Sequence, residues 1–334
     1  MRIAVDVLGG DYAPAEILIG LGQALGADFR PSELLLVGPR ALIEESLHGH
    51  GLSELPEILP CEQMVEGHES AVEAMRRKPE ATVFQCVRAV KEGRADGMLS
   101  FGHTGATVAG ATMGLGLLPG IRRPAIAVAL SGASGPFVFL DVGANPNAKP
   151  EHLLQYALMG TAYARDMFGI AEPRVCLLNI GGEAGKGSPV EKETYKLLED
   201  SSIRFVGNRE GHELFAGEAD VFVTDGFVGN VILKVVEGFA EYLQRQLERR
   251  VPGLTGGMDE ELRRVAGAAH FADVGGATLL GVDGTVVIGH GRSRAHALPP
   301  ALRAARNDVE RGVNRHITES LRKYAAAHGA GGKA

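Results

Sequence analysis

Short runs rich in Val, Ile and Leu alternate along this chain with stretches of helical period, and run after run ends in a glycine-bearing turn. No other feature restricts the fold as much. Strands joined through helical crossovers build a largely parallel sheet with helices on its faces, so the expected fold class is α/β. Strands are expected at 3–7, 34–37, 97–100, 125–130, 137–142, 175–180, 203–206, 221–224 and 286–288. Helices are expected at 15–26, 70–78, 82–92, 104–117, 151–168, 190–200, 228–250, 259–269 and 295–327. No composition shift, repeat or linker marks a boundary. Residues 1–334 are therefore expected to form one α/β unit, with two intertwined lobes as the alternative, and 228–269 to protrude from it as a helical hairpin. The Gly/Ala-rich end after Ala325 is expected to fray.

The turns at the strand ends carry the chemistry. The first run leads into Gly9-Gly10-Asp11, the run at 97–100 into Phe101-Gly102-His103-Thr104-Gly105, and the run at 137–142 into Gly143-Ala144-Asn145. The run at 175–180 leads into Gly181-Gly182-Glu183, and that at 221–224 into Asp225-Gly226-Phe227-Val228-Gly229-Asn230. Ligands of open α/β sheets bind beyond the carboxyl ends of the strands. Helix N-termini there offer unpaired N–H groups and a positive dipole end to an anion. Converging loops of this kind make a polar, glycine-lined anion pocket. Glycine is accordingly abundant, 46 of 334 residues, roughly twice the usual share of about 7%.

Several function classes are excluded. A net charge of −7 argues against general binding to a polyphosphate backbone, so any anion site must be made locally. An aromatic content of 5% without Trp argues against base-stacking platforms. Cys61, Cys86 and Cys176 are an odd number without metal or disulfide spacing, which suits a reducing cytoplasm. Asp6 and Asp11 interrupt the apolar run that an export signal would need. The stretch 97–121 has no charged residue, but its glycines and Pro119 read as strand, turn and buried helix rather than a membrane span. The run from Gly181 to Ser188 fails the triphosphate P-loop spacing, because three residues instead of four separate Gly181 from Gly185 and Gly187 follows Lys186. Gly20-Leu21-Gly22 lies within a helix, and no Gly-x-Ser-x-Gly or His-Glu-x-x-His is present.

Taken in order, the loops resemble the bacterial phosphate acyltransferases of the PlsX type, acyl-[acyl-carrier-protein]:phosphate acyltransferases. The resembling segments are Val5-Asp6-Val7-Leu8-Gly9-Gly10-Asp11-Tyr12-Ala13-Pro14, Gly102-His103-Thr104-Gly105-Ala106 and Asp141-Val142-Gly143-Ala144-Asn145. Further along come Leu177-Leu178-Asn179-Ile180-Gly181, Lys186-Gly187, Val206-Gly207-Asn208, and Asp225-Gly226-Phe227-Val228-Gly229-Asn230 with Lys234. Gly275-Gly276-Ala277, Leu279-Leu280-Gly281 and His290-Gly291-x-Ser293 complete the series. Three departures stand out. His103 replaces the family's usual Asn, Leu8 and Tyr12 replace its usual Met and His, and the Lys186 loop is richer in glycine.

The resemblance implies an isopropylmalate-dehydrogenase-like α/β architecture, a homodimer, and no cofactor or metal. It implies the reaction of an acyl-carrier-protein thioester with inorganic phosphate to give acyl phosphate and free carrier, and a membrane glycerol-3-phosphate acyltransferase as consumer of the product in phospholipid synthesis. No Ser or Cys nucleophile is required. Phosphate is already anionic, and the leaving thiol has a pKa near about 8.5 by analogy with Cys. What remains is to hold phosphate and to stabilise charge growing on the carbonyl oxygen; positioning supplies about 7–11 kcal/mol and one oxyanion donor about 2.7–4.

The turn 100–105 is the expected phosphate cradle, with Ser100, Gly102, Thr104 and Gly105 as contacts and His103 as a side-chain donor. Lys186 is expected to neutralise phosphate, Asn230 and the N–H groups near Gly229 to bind the oxyanion, and Asp225 to orient a loop donor. Asp6, Gly9, Gly10, Asn145, Asn179, Gly181, Gly187, Asn208, Lys234, Gly276, His290 and Ser293 complete the expected substrate contacts. Bland alternatives stand beside these. Lys186 as a solvated loop charge is one, and Asn145, Asn179 and Asn208 as turn closers are another. Asp6 and Asp11 suit helix caps or, less readily, an Mg²⁺ site with Asp225; His290 suits a buried structural ring, and Cys176 a core residue.

Within the expected hairpin, Leu254 sits in an apolar tip flanked by Arg245, Arg249, Arg250, Arg263 and Arg264. Such a tip fits anionic lipid at a membrane surface or an acidic carrier protein, and equally a dimerisation hairpin. Competing functions are a phosphotransacetylase-like enzyme using acyl-coenzyme A, an NAD-dependent dehydrogenase of similar architecture, and a non-catalytic binding scaffold.

Overall fold

A computed structural model describes residues 1–250 and 275–328 of the chain, with the side chains of residues 244, 247, 248 and 250 left aside. In chain order the elements begin with β1 (Ile3–Asp6), α1 (Ala15–Ala27), β2 (Leu34–Gly38), α2 (Arg40–Gly49), β3 (Glu57–Pro60), α3 (Ala71–Arg77), α4 (Thr82–Lys91), β4 (Gly97–Ser100) and α5 (Thr104–Gly114). They continue with β5 (Ala125–Gly132), β6 (Gly135–Leu140), α6 (Pro150–Phe168), β7 (Val175–Leu178), α7 (Pro189–Glu199), β8 (Phe205–Arg209), β9 (Val221–Val223) and α8 (Gly226–Arg250). Last come β10 (Ala277–Leu280), β11 (Thr285–Ile288), α9 (Leu298–Arg311) and α10 (Val313–His328). The expected helix at 259–269 lies outside the described residues.

The chain separates into two compact units, Met1–Pro124 with Gly275–Asn314, and Ala125–Val274 with Arg315–Ala334. In the first unit the strands lie in the order β3-β2-β1-β4-β11-β10. All neighbours are parallel except β10 and β11. Strands β1, β2 and β4 are buried along their whole length, which is why they read as continuous apolar runs without alternation. Ile3, Val5, Leu34, Leu36 and Leu99 form one core with Leu21 of α1 and Leu298 and Leu302 of α9. The register places Val5 opposite Leu99 and Ile288 opposite Ser100, so β1, β4 and β11 end at one rim.

In the second unit the order is β5-β6-β9-β7-β8, with β5 and β6 an antiparallel hairpin and the other pairs parallel. Helix α6 covers β6 and β9 with a largely buried surface. Its Gly160 comes so close that a Cβ would stand 2.6 Å from Val221 Cγ1. Helix α8 leaves Phe227, Val231, Val235, Phe239 and Tyr242 exposed, an apolar stripe at intervals of three and four residues.

Three elements fall outside the sequence expectations, and one helix is divided. Helix α2 buries only Ile43 and Leu47 and leaves Ala41 and Leu42 exposed among polar residues, so its period is faint. Strand β3 is an edge strand of four residues that begins with Glu57 and ends at Pro60. Strand β10 comes after the glycines at 275 and 276 and pairs antiparallel, outside the strand–helix alternation. The helix expected at 295–327 breaks where Gly312 takes φ +65°, the left-handed cap that ends α9.

Candidate active site

At the carboxyl rim of the first unit, three loops meet, after β1, β4 and β11. Asp6, the last residue of β1, is 2% exposed, and its Oδ2 accepts the Ser100 hydroxyl at 2.7 Å. Ser100 Oγ in turn accepts the Gly102 N–H at 3.1 Å. This relay sets the direction of the turn that feeds α5. Burial raises the Asp6 carboxyl above its ordinary 3.8, while neighbouring polar groups, Thr82 and Ser100 foremost, oppose the rise; Oδ1 has no partner among the described residues. Gly9 packs directly against the relay. A Cβ there would lie 2.6 Å from Asp6 Oδ2 and 2.8 Å from the Gly102 nitrogen, so only glycine fits. The third loop joins through the Asp11 N–H, which donates to the Gly291 carbonyl at 2.8 Å, and through Arg294, whose guanidinium lies 3.5 Å from the Tyr12 ring centre.

His103 is the N-cap of α5, with Nδ1 accepting the Ala106 N–H at 3.1 Å. In the neutral ring the proton therefore belongs on Nε2, and that N–H is left to donate. The cap uses the N–H of Ala106 only. Those of His103, Thr104 and Gly105 have no partner among the described residues, which leaves the positive end of α5 with donors to spare. Nearby, His290 Nδ1 accepts the Arg292 N–H at 3.3 Å, and the His290 carbonyl accepts the Ser293 N–H at 2.9 Å. The Ser293 hydroxyl oxygen is buried without a partner among the described residues. Gly276 lies at this rim too: it takes φ +82° beside β11, where a Cβ would be 2.8 Å from the carbonyl oxygen of Ile288, the last residue of that strand.

The rim of the second unit is built differently. Asp141 is fully buried, and its carboxylate accepts four backbone N–H groups: Ile126 at 3.0 Å, Gly143 at 3.0 Å, Ala144 at 2.9 Å and Asn145 at 2.7 Å. Burial pushes this carboxyl up and the four donors pull it back. Asp225 Oδ1 accepts the N–H groups of Phe227 and Val228, both at 2.8 Å. The Gly226 N–H donates to the Asn145 carbonyl, and that of Gly229 to the Asp225 carbonyl. Asn230 Nδ2 donates to the Val142 carbonyl at 3.1 Å, and a Cβ on Gly229 would overlap the Asp141 carbonyl oxygen.

This corrects one expectation: the N–H of Gly229 is not an open oxyanion donor. The amides of the 143–145 loop are taken by Asp141. Asp225 does orient backbone donors, toward itself. Asp141, the hub of the arrangement, was not among the expected site residues. An Asp with backbone N–H groups two to four positions ahead is the signal that points to it.

The remaining candidates of the second unit surround the loop after β7. Lys186 is half exposed, and its Nζ lies 3.8 Å from Glu183 Oε1. Asn179 closes the loop by donating to the Lys186 carbonyl at 3.2 Å and accepting the Ile180 N–H at 2.8 Å, and Gly187 takes φ +90° against it. Gly181 lies under the Lys186 side chain, whose Cγ would be 3.0 Å from a Cβ there. Buried Asn208 donates to the Glu183 carbonyl at 2.8 Å, while its Oδ1 has no partner among the described residues. Lys234 pairs with Glu237 at 2.9 Å one turn along α8. Arg245 pairs with Glu241 at 3.3 Å and Arg249 is exposed. The side chain of Arg250, and Leu254, Arg263 and Arg264, lie outside the described residues. All three cysteines are buried, and burial pushes each thiol up, against a nucleophilic role.

Solved structures share this architecture. A phosphotransacetylase from Streptococcus pyogenes matches with a TM-score of 0.57 at 17% identity, over 96% of this chain and 94% of that one. A branched-chain phosphotransacylase from Enterococcus faecalis V583 matches with a TM-score of 0.57 at 16% identity, over 92% of this chain and 99% of that one. These likenesses show a shared α/β fold, a mostly parallel sheet flanked by helices. At the level of sequence, residues 1–316 match the family model described as "Fatty acid synthesis protein". A phosphate acyltransferase of Desulfitobacterium hafniense (strain DSM 10664 / DCB-2) is 42% identical, over 98% of this chain and 99% of its own. The chain belongs to the phosphate acyltransferase family of fatty acid synthesis proteins, and it is an acyltransferase.

Proposed function

We propose that this enzyme forms acyl phosphate reversibly from an acyl-[acyl-carrier-protein] thioester and inorganic phosphate, and so supplies phosphatidic acid synthesis. Beyond family membership, the observation that carries the reading is the open N-terminus of α5. There three N–H groups without partners succeed a turn steered by Ser100 and Asp6. A helix N-terminus of this kind holds a phosphate oxygen, and His103 adds an Nε2–H donor beside it. A phosphate oxygen attacks the thioester carbonyl carbon and the C–O bond forms. The carbonyl electrons pass to oxygen and return as the C–S bond breaks. The electron pair leaves on sulfur as a thiolate, which takes its proton from water. Asp6 and Ser100 act as positioning residues in this scheme, and Lys186 is proposed as a phosphate contact.

Mixing the protein with palmitoyl-[acyl-carrier-protein] and phosphate and trapping the product with hydroxylamine tests the reaction. An acyl hydroxamate that requires phosphate is expected, and its absence overturns the reading. Parallel incubations with acyl-coenzyme A and with NAD test the phosphotransacetylase-like and dehydrogenase alternatives. Lys186→Ala is expected to raise the phosphate KM; an unchanged KM removes Lys186 from the scheme.

The exposed stripe on α8 supports a homodimer, since an apolar face of this length is seldom left to water. Among the described residues no helix is long and apolar enough to cross a membrane. Peripheral attachment through the Arg245–Arg264 segment is proposed instead, to bring the product close to a membrane acyltransferase. Vesicle sedimentation with anionic lipid should lose the protein on Leu254→Glu, and unchanged binding rejects that attachment.

A further inference from the structure

Away from the rims, the first unit carries an open groove of about 290 Å³ between α3, α4 and α5. Met75, Phe84, Val87 and Met113 form its walls, and Gly110 and Gly114 lie along α5. The glycines are required by close packing. A Cβ at 110 would stand 2.9 Å from the Phe84 ring and one at 114 would stand 2.5 Å from Val87 Cγ1. Met113 is 74% exposed, and Val72, one turn before Met75 on α3, is 72% exposed. Flexible methionines on an open surface suit an apolar side chain presented by a partner.

The edge of the groove is cationic. Arg76 and Arg77 directly succeed Met75 in sequence and have no partner among the described residues. Lys91 Nζ meets only the Leu115 carbonyl, at 3.2 Å, so its charge is not neutralised. Arg88 alone on this edge is offset, by Glu80 at 3.2 Å. Lys91 in the groove lining, together with Arg76 and Arg77 one and two residues past Met75 at the end of α3, outnumber Glu73 on that helix, and this local positive balance in a chain of net charge −7 selects an acidic occupant with an apolar face.

We propose that this groove is the docking surface for the acidic carrier protein, which lays an amphipathic helix over Met75 and Met113 and sets its carboxylates against Arg76, Arg77 and Lys91. The proposal rests on the reading that the acyl donor is carrier-borne. Helix α5 supplies both parts of the arrangement. Its N-terminus is the anion-binding turn, and Gly110 lies six residues beyond Thr104, about 9 Å along the axis at 1.5 Å per residue. A carrier seated there stands back from the reacting carbonyl, as a thioester borne on a flexible arm requires.

The test compares wild type with Met113→Asp and with the double variant Arg76→Glu/Arg77→Glu, all positions outside the proposed chemistry. Carrier binding is monitored by fluorescence anisotropy with labelled acyl-carrier protein, beside the phosphate KM and the melting temperature. Both variants are expected to weaken carrier binding by about tenfold or more, with phosphate KM and melting temperature unchanged. Wild-type affinity in both variants overturns the proposal. So does an effect of Met113→Asp with the charge reversal silent, which would mark the groove as a hydrocarbon site. Carrier binding lost in both variants, in a protein that forms no acyl phosphate at all, would keep the docking surface and reject the proposed reaction. Acyl phosphate formed with unaltered carrier affinity in both variants would do the reverse.

Discussion

Helices α5 and α8 both start within a few residues of a strand end, and both begin with N–H groups that the helix itself cannot satisfy. At α8 the surrounding chain satisfies them. Asp225 takes two through its side chain, Asn145 takes the Gly226 N–H, and Asp141 gathers four more amides from β5 and the loop after β6. At α5 the cap uses only the Ala106 N–H, and the donors before it stay open. One rim is clasped by resident carboxylates, and the other keeps donors for the phosphate proposed to bind there. Glycine, Asn and Asp are common to both. The difference lies in where the carboxylates point, and it separates a fold-holding turn from a binding turn.

The strongest way to break this contrast is Asp141→Ala, which leaves four N–H groups, one buried and three partly buried, without their acceptor. A loss of at least about 4 kcal/mol is expected, read from the denaturant midpoint; a mild loss would mean that Asp141 is not the clasp. Asp225→Ala and His103→Ala then sharpen the contrast. The first should cost about 1–2 kcal/mol as a lost helix cap while leaving the phosphate KM alone. The second should cost about 1 kcal/mol and also raise the phosphate KM, by about tenfold for a lost donor to a charged ligand. His103→Asn, which keeps both an acceptor and a donor, should restore most of it. Equal phosphate KM in Asp225→Ala and His103→Ala would erase the distinction between the rims.

The smallest expected effect is a pH slope. Burial raises the folded Asp6 carboxyl above its ordinary 3.8, so the folded chain holds a proton that the unfolded chain has already released. That contribution to stability is fully present below the ordinary value and is lost as pH rises through the raised one. Asp6→Asn should remove the loss. Its stability relative to wild type should climb with pH above about 4, by no more than about 1.4 kcal/mol per unit. Parallel curves for the two proteins would show that Asp6 is not the group responsible.

The strand–helix alternation and the loop order were legible in the chain because fully buried parallel strands must be apolar throughout, while their turns must be small and polar. The run 97–105 shows this directly. Its strand, its glycine turn and its helix start all stand where the residues place them. The short edge strand β3 and the polar helix α2 were not legible, since each buries too few side chains to leave a period.

Local sequence by itself determined the α/β class, the family and the loops at the strand ends, because backbone pairing and helix caps are decided within a few residues. It did not determine which loop donors are free. Asp141 lies 15 residues from Ile126 and Asn230 lies 88 from Val142, so their bonds exist only once the strands are paired. A glycine turn keeps its donors only where no resident carboxylate has reached it first, and tertiary packing alone made that choice.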